Sequence, residues 1–171
     1  LSSGIINSSD ASCNGVCDGS AVCFVGGGTS PYSYTWANGQ ITSTAINLCS
    51  GSHNVLITDA NGCSTTSSII ISEPLPILIT DSVIDVSCNG GNDGMIYLTV
   101  TGGTPFYQYN WNPTGTIPTN LTAQTYTVTV TDINSCTAIQ SIQVNEPLPL
   151  FAIGLGIPSV CGEYNGTAIV S

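Results

Sequence analysis

Apolar and polar residues alternate with period two along most of this chain, and no segment sustains a 3.6-residue period. Runs such as "MIYLTVT" (95–101) and "TYTVTVT" (125–131) put every second side chain on one face of an extended strand. That is the pattern of a sheet with one dry and one wet side. Glycine pairs, Asn-Gly and Asp-Gly recur between the runs and supply the positive-φ positions that tight turns need. Over residues 77–145 the pattern predicts strands at 77–87, 94–101, 105–111, a weak one at 116–121, 125–132 and 136–145. So many short strands in so few residues predict an all-β, antiparallel, immunoglobulin-like β-sandwich.

Self-comparison shows that the chain repeats. "CNGVCDGSAVCFVGGGTSPYSYTW" (13–36) matches "CNGGNDGMIYLTVTGGTPFYQYNW" (88–111), "ITDANGC" (57–63) matches "VTDINSC" (130–136), and "SEPLPI" (72–77) matches "NEPLPL" (145–150). Cys88 follows Cys13 by 75 positions and Cys136 follows Cys63 by 73, so a two-residue indel falls between the Trp and the Asp-x-Asn turn. "SVCGEYNGTAIV" (159–170) opens a third copy, in which Cys161 aligns with Cys88 and Asn165-Gly166 with Asp93-Gly94. The expected organisation is tandem units at 1–75 and 76–148 and the beginning of a third at 149–171, a window on a longer array. Each "EPLP" holds the chain extended and gives a stiff, short connector, so a semi-rigid rod is expected.

An aromatic stripe recurs in each unit: Tyr32, Tyr34 and Trp36, then Tyr107, Tyr109 and Trp111. On a strand, the three rings share a face, as a sugar-stacking platform or as a core wall. The rings are retained between copies while the opposite face drifts, Ser33 against Gln108 and Thr35 against Asn110, which favours the core. Phe106 points the other way and is expected to cover the junction to a neighbouring unit.

Composition then narrows the function. The 171 residues include no Lys and no Arg, ten acidic residues and one His, for a formal charge of −10. Such a chain repels nucleic acid and anionic lipid and lacks a cationic phosphate clamp, which excludes nucleic-acid binding, nucleotide hydrolysis and electrostatic membrane docking. It offers no trypsin-type site. The longest apolar runs fall short of the ~20 residues that span a bilayer, so no membrane insertion is expected. No signal peptide opens the chain, which reads as a mature protein or an excised piece.

Eight cysteines point to an oxidising, extracellular setting. Cys88 and Cys136 are the only cysteines of the second unit and are expected to pair, as are their counterparts Cys13 and Cys63; the partner of Cys161 then lies outside this chain. Among the remaining three, Cys17 and Cys49 sit in loops and Cys23 on an alternating strand. A Cys17–Cys49 bridge with Cys23 free and buried is expected, although spacing alone leaves the pairing of these three open. His53 aligns with Tyr126, which resembles the tyrosine corner of sandwich domains.

Asp59 and Asn61, and Asp132 and Asn134, set oxygen ligands two apart at a turn and are candidate calcium ligands; ordinary Asx-turn chemistry explains the same pattern and is favoured. No other cofactor is implied. No Ser/His/Asp set and no acid pair near a cleft feature recurs between units, so no catalytic residue is assigned and the chain is expected not to be an enzyme.

Taken together, Cys-Asn-Gly, Asp-Gly, Gly-Gly-Thr with Pro and alternating rings up to Trp, Thr-Asp-x-Asn-x-Cys and a closing Glu-Pro resemble the SprB repeat, over essentially the whole chain. The resemblance implies a cell-surface adhesin filament of gliding bacteria, exported by the type IX route and touching surface polysaccharide or an abiotic surface, with neighbouring repeats as its other partners. It also implies tolerance of a second cysteine pair like Cys17 and Cys49, and O-glycosylation at Ser82 within Asp81-Ser82-Val83. A carbohydrate-binding module and a passive stalk are the alternatives.

Overall fold

The structure, a computed structural model, describes residues 1–113, 119–157 and 167–170, with 155–157 and 167–170 described by backbone alone. The described residues contain strands and no helix. Cys161 and Asn165-Gly166 of the third copy, and the first half of the weak strand expected at 116–121, lie outside the described residues.

The first unit contains β1 (Ser2–Ser9), β2 (Gly19–Gly26), β3 (Ser33–Trp36), β4 (Thr44–Leu48), β5 (Gly51–Thr58) and β6 (Ser64–Ile71). They form two antiparallel three-stranded sheets, ordered β1-β2-β4 and β3-β5-β6. The second unit contains β7 (Leu78–Ile84), β8 (Met95–Thr101), β9 (Gln108–Asn112), β10 (Thr125–Thr131) and β11 (Thr137–Gln143), paired as β7-β8 and β9-β10-β11. An isolated Gly94–Leu121 bridge stands where Gly19 pairs with Leu48 in the first unit. A last antiparallel pair joins β12 (Gly154–Ile157) to β13 (Thr167–Val170).

Period-two patterning becomes burial directly. Along β10, Tyr126, Val128 and Val130 are buried, and each intervening Thr reaches the surface more. Each unit has its own core. In the first, Ala21 and Cys23 from β2, Trp36 from β3, Ala45 and Leu48 from β4, Val55 and Ile57 from β5 and Ile71 from β6 make one cluster fed by both sheets. In the second, Val86, Ile96, Trp111, Leu121, Tyr126, Val128, Val130, Ile142 and Val144 do the same.

Strand pairing also fixes which loops share an end. Gly19 opposite Leu48 puts the β1–β2 and β4–β5 loops at one end of the first unit, with Cys13, Cys17 and Cys49. Ser33 opposite Thr58 puts the β2–β3 loop and the β5–β6 turn, with Cys63, at the other end. β2, eight residues long, separates the two ends by about 26 Å at ~3.3 Å per residue.

Candidate functional site at the junction between units

The junction is built from two turns that the repeat supplies at opposite ends of each unit. At the exit end, Cys13-Asn14-Gly15 folds onto the closing Glu-Pro: Gly15 N donates to Glu73 Oε2 at 2.7 Å, and Asn14 Nδ2 donates to Glu73 Oε1 and to the Pro74 carbonyl, both at 3.2 Å. The second unit repeats this with Gly90 N to Glu146 Oε2 at 2.6 Å, Asn89 Nδ2 to Glu146 Oε1 at 3.0 Å and Asn89 Nδ2 to the Pro147 carbonyl at 3.2 Å. Asp18 closes the loop by accepting from Ser12 N at 2.8 Å, as Asp93 does from Ser87 N at 2.9 Å. The Ser12 and Ser87 hydroxyls first, then their amides, hold the Asp18 and Asp93 carboxyls below the usual range.

At the entry end, the Asp-x-Asn-x-Cys turn is organised around one carboxylate. Asp132 Oδ1 accepts from Asn134 N and Cys136 N, both at 2.9 Å, and Oδ2 accepts from Thr104 N at 2.8 Å. Asp59 repeats the set with Asn61 N and Cys63 N at 2.9 Å and Thr29 N at 3.1 Å. Both carboxylates are buried, and the Thr29 amide is the main cause holding Asp59 below its ordinary value. Three amide dipoles aim their positive ends at each carboxylate, which opposes a cation there. Asn61 and Asn134 spend their side-chain amides on Thr29 Oγ1 and Thr104 Oγ1. These are Asx turns. Among the described residues, no three His, Cys, Asp or Glu side chains gather to hold a metal.

The connector brings the two ends together. Gly103 N donates to the Leu75 carbonyl at 2.7 Å, and a Cβ on Gly102 (φ +75°) would lie 1.9 Å from the Pro76 carbonyl oxygen. The double glycine is therefore the seat for "EPLP". Across the junction, Asn134 Nδ2 donates to the Ser12 carbonyl at 3.1 Å, and Cys13 is joined to Cys136 with a Cα–Cα distance of 5.7 Å. A cleft of about 480 Å³ lies here between Cys13, Val16, the connector and Thr137.

This corrects two expected pairings. Cys13 is not joined to Cys63, nor Cys88 to Cys136; Cys63 and Cys88 are free and exposed. The partners expected within a unit sit at its opposite ends, far beyond the ~4.4–6.8 Å that a disulfide spans, whereas the ends of successive units meet. Cys17 is joined to Cys49, and Cys23 is free and buried, its thiol pushed up by burial.

The stripes divide by depth. Trp36 and Trp111 are buried at 2% and 4% exposure, and Trp36 Nε1 donates to the Thr42 carbonyl. Tyr32 and Tyr107 are half-buried and donate to the Gly27 and Gly102 carbonyls. Tyr34 is half-buried, but Tyr109, expected in the core, is 40% exposed. Among the described residues only the Gly94–Leu121 bridge stands where β4 flanks β2 in the first unit, so Tyr109 has less cover. Phe106 is 82% exposed and covers no junction among the described residues. His53 occupies the corner: its Nε2 lies 2.8 Å from the Cys49 carbonyl four residues back, as Tyr126 OH donates to the Thr122 carbonyl. Ser82 lies exposed on β7 opposite Tyr97.

Sequence reasoning missed that Asn14, Glu73 and the Gly102-Gly103 seat belong to one site. The signal was present, since Cys-Asn-Gly, Gly-Gly and Glu-Pro recur together, but nothing in the pattern says that they touch.

A search of curated proteins found no match to the chain. The family model described as the SprB repeat matches it twice, at residues 5–41 and 80–116. Each match runs from the first strand of a unit, through the Cys-Asn-Gly loop and the double glycine, to just past the buried Trp. Two stretches of the chain, one in each unit, are thus similar to the SprB repeat.

Proposed function

We propose that this chain is a non-enzymatic segment of an extracellular adhesin filament used in bacterial gliding and surface attachment, reaching the surface by type IX export. The observation that carries the reading is the junction: two units of a cell-surface repeat joined end to end by a proline connector and a disulfide. Such a joint suits a part that spans distance and bears load. Each unit is read as a small immunoglobulin-like sandwich. The β1-β2-β4 and β3-β5-β6 order, the Trp on the third strand and the corner ring near the start of the fifth support that reading. Its partners are neighbouring repeats, and surface polysaccharide or an abiotic surface at some point along the filament. The buried Trp rings speak against a sugar-stacking platform.

Antibody raised against the chain and applied to intact gliding cells tests this. Label moving along the cell surface, and lost in an export-deficient strain, is the expected result. Label seen only after cell lysis would overturn it. Intact mass of the exported protein checks Ser82 separately, a hexose-sized increment there being expected.

A further inference from the structure

Cys63 and Cys88 are left over by the bridge that joins the two units, and their surroundings copy those of the cysteines that form it. Cys63 N donates to Asp59 Oδ1 at 2.9 Å, as Cys136 N does to Asp132 Oδ1. Ser87 Oγ lies 3.8 Å from Cys88 Sγ, as Ser12 Oγ lies 3.7 Å from Cys13 Sγ, and the Cys88 carbonyl accepts from Gly91 N. The Cys88 turn holds Glu146 as the Cys13 turn holds Glu73, so the connector leaves both units in the same way. Beyond it, Leu150 is 98% exposed where its counterpart Ile77 packs against the second core. Both thiols are exposed, and each stands at the end of its unit where a bridged counterpart stands at the junction.

We propose that Cys63 and Cys88 are the two halves of the Cys13–Cys136 bridge held ready for further units of the same repeat. Cys88 takes the Asp-x-Asn-x-Cys cysteine of a unit that follows; Cys63 takes the Cys-Asn-Gly cysteine of a unit that precedes. An array so built carries a disulfide at every junction, each unit bridged forward by its early cysteine and backward by its late one. This inference rests on the repeat organisation and stands whether or not the filament is an adhesin. At each junction two thiols lose two protons and two electrons to a disulfide donor of the oxidising compartment. The donor leaves as two thiols, by way of a mixed disulfide.

The test compares two chains refolded with oxidised and reduced glutathione, alkylated, digested without reduction and read by mass spectrometry. One is the 171-residue chain. The other is residues 1–148 followed in frame by a second copy of 76–148 that carries Cys88→Ser, so that one Cys88 remains. In the first, Cys88 is expected to be alkylated or capped by glutathione. In the second, with the added copy marked by Ile133→Val at an exposed position, free Cys88 falls at least about tenfold, and Cys88 is recovered joined to the "TDVNSC" sequence of the added unit. Cys63 is expected to stay free in both. Cys88 still alkylated in the longer chain, or joined to Cys63, would overturn the proposal. The Cys13–Cys136 and Cys17–Cys49 peptides report folding in the same digest. Absence of the Cys13–Cys136 peptide from the 171-residue chain would also overturn it, since no rung would then exist to copy.

Discussion

At the scale of single residues, the acidic side chains in the turns do the work that a metal or a cation does elsewhere. With no Lys or Arg in the chain, the buried Asp59 and Asp132 are satisfied chiefly by amide dipoles, and each collects three. Neither Ca²⁺ nor a chelator should shift the thermal midpoint; a shift of several degrees would show a site at these turns. Asp132→Ala should cost about 2–3 kcal/mol, because buried amides lose a charged acceptor, and denaturant unfolding measures it. The pH response has a defined sign. Asp18, Asp59 and Asp93 are held below their ordinary values in the folded chain, by the Ser12 hydroxyl, the Thr29 amide and the Ser87 hydroxyl respectively. Their contribution is therefore complete above the unfolded carboxyl pKa of ~3.9 and is lost as pH falls below it. The midpoint should hold from neutral pH to about 5 and drop below about 4. His53 was legible from alignment alone, since the corner needs a ring with a polar tip reaching the carbonyl four residues back. His53→Tyr should leave stability unchanged or raise it, while His53→Ala should cost about 1–2 kcal/mol in the same measurement.

At the scale of elements, strands were readable because period two translates directly into a buried face; β8 and β10 lie where the alternation put them. Their ends were less so, and β9 begins three residues after the expected start at 105. Phe106 at φ 81° and the double glycine hold that stretch in turn conformations instead. The connector is the element whose role the pattern understated. Two prolines predict stiffness, but its direction comes from Gly102 and Gly103, which let the backbone of Leu75 and Pro76 lie against theirs. Gly102→Ala should cost well over the ~1–2 kcal/mol of a left-handed alanine, since its Cβ would strike the Pro76 carbonyl. Gly39→Ala, at φ +86° with open space around it, carries the backbone cost alone and is the control. The yield of the Cys13–Cys136 bridge on refolding should fall in the first variant and hold in the second.

At the scale of the whole molecule, the bridge changes what pulling on the chain can do. Cys13 and Cys136 are 123 positions apart, so force entering at one end crosses the disulfide and bypasses nearly all of both units. Single-molecule stretching of the oxidised chain should release about 400 Å less contour than stretching of the reduced chain, at ~3.3–3.6 Å per residue. Equal lengths would mean that no inter-unit bridge carries the load. An array wired this way yields little length even when a unit opens.

The sequence by itself determined the strands, the internal repetition, the corner ring and the depth of both Trp side chains, because each of these follows from local periodicity or from comparing one copy with the next. It could not choose partners for the cysteines that recur in both units. Spacing says which cysteines are equivalent, and equivalence is the same whether a bridge closes within a unit or between units. Only the tertiary structure decided, by placing Cys13 and Cys63 at opposite ends of one unit and bringing the end of that unit to the start of the next. A disulfide spans a few ångströms, so distance in space, not order in the chain, selects the pair.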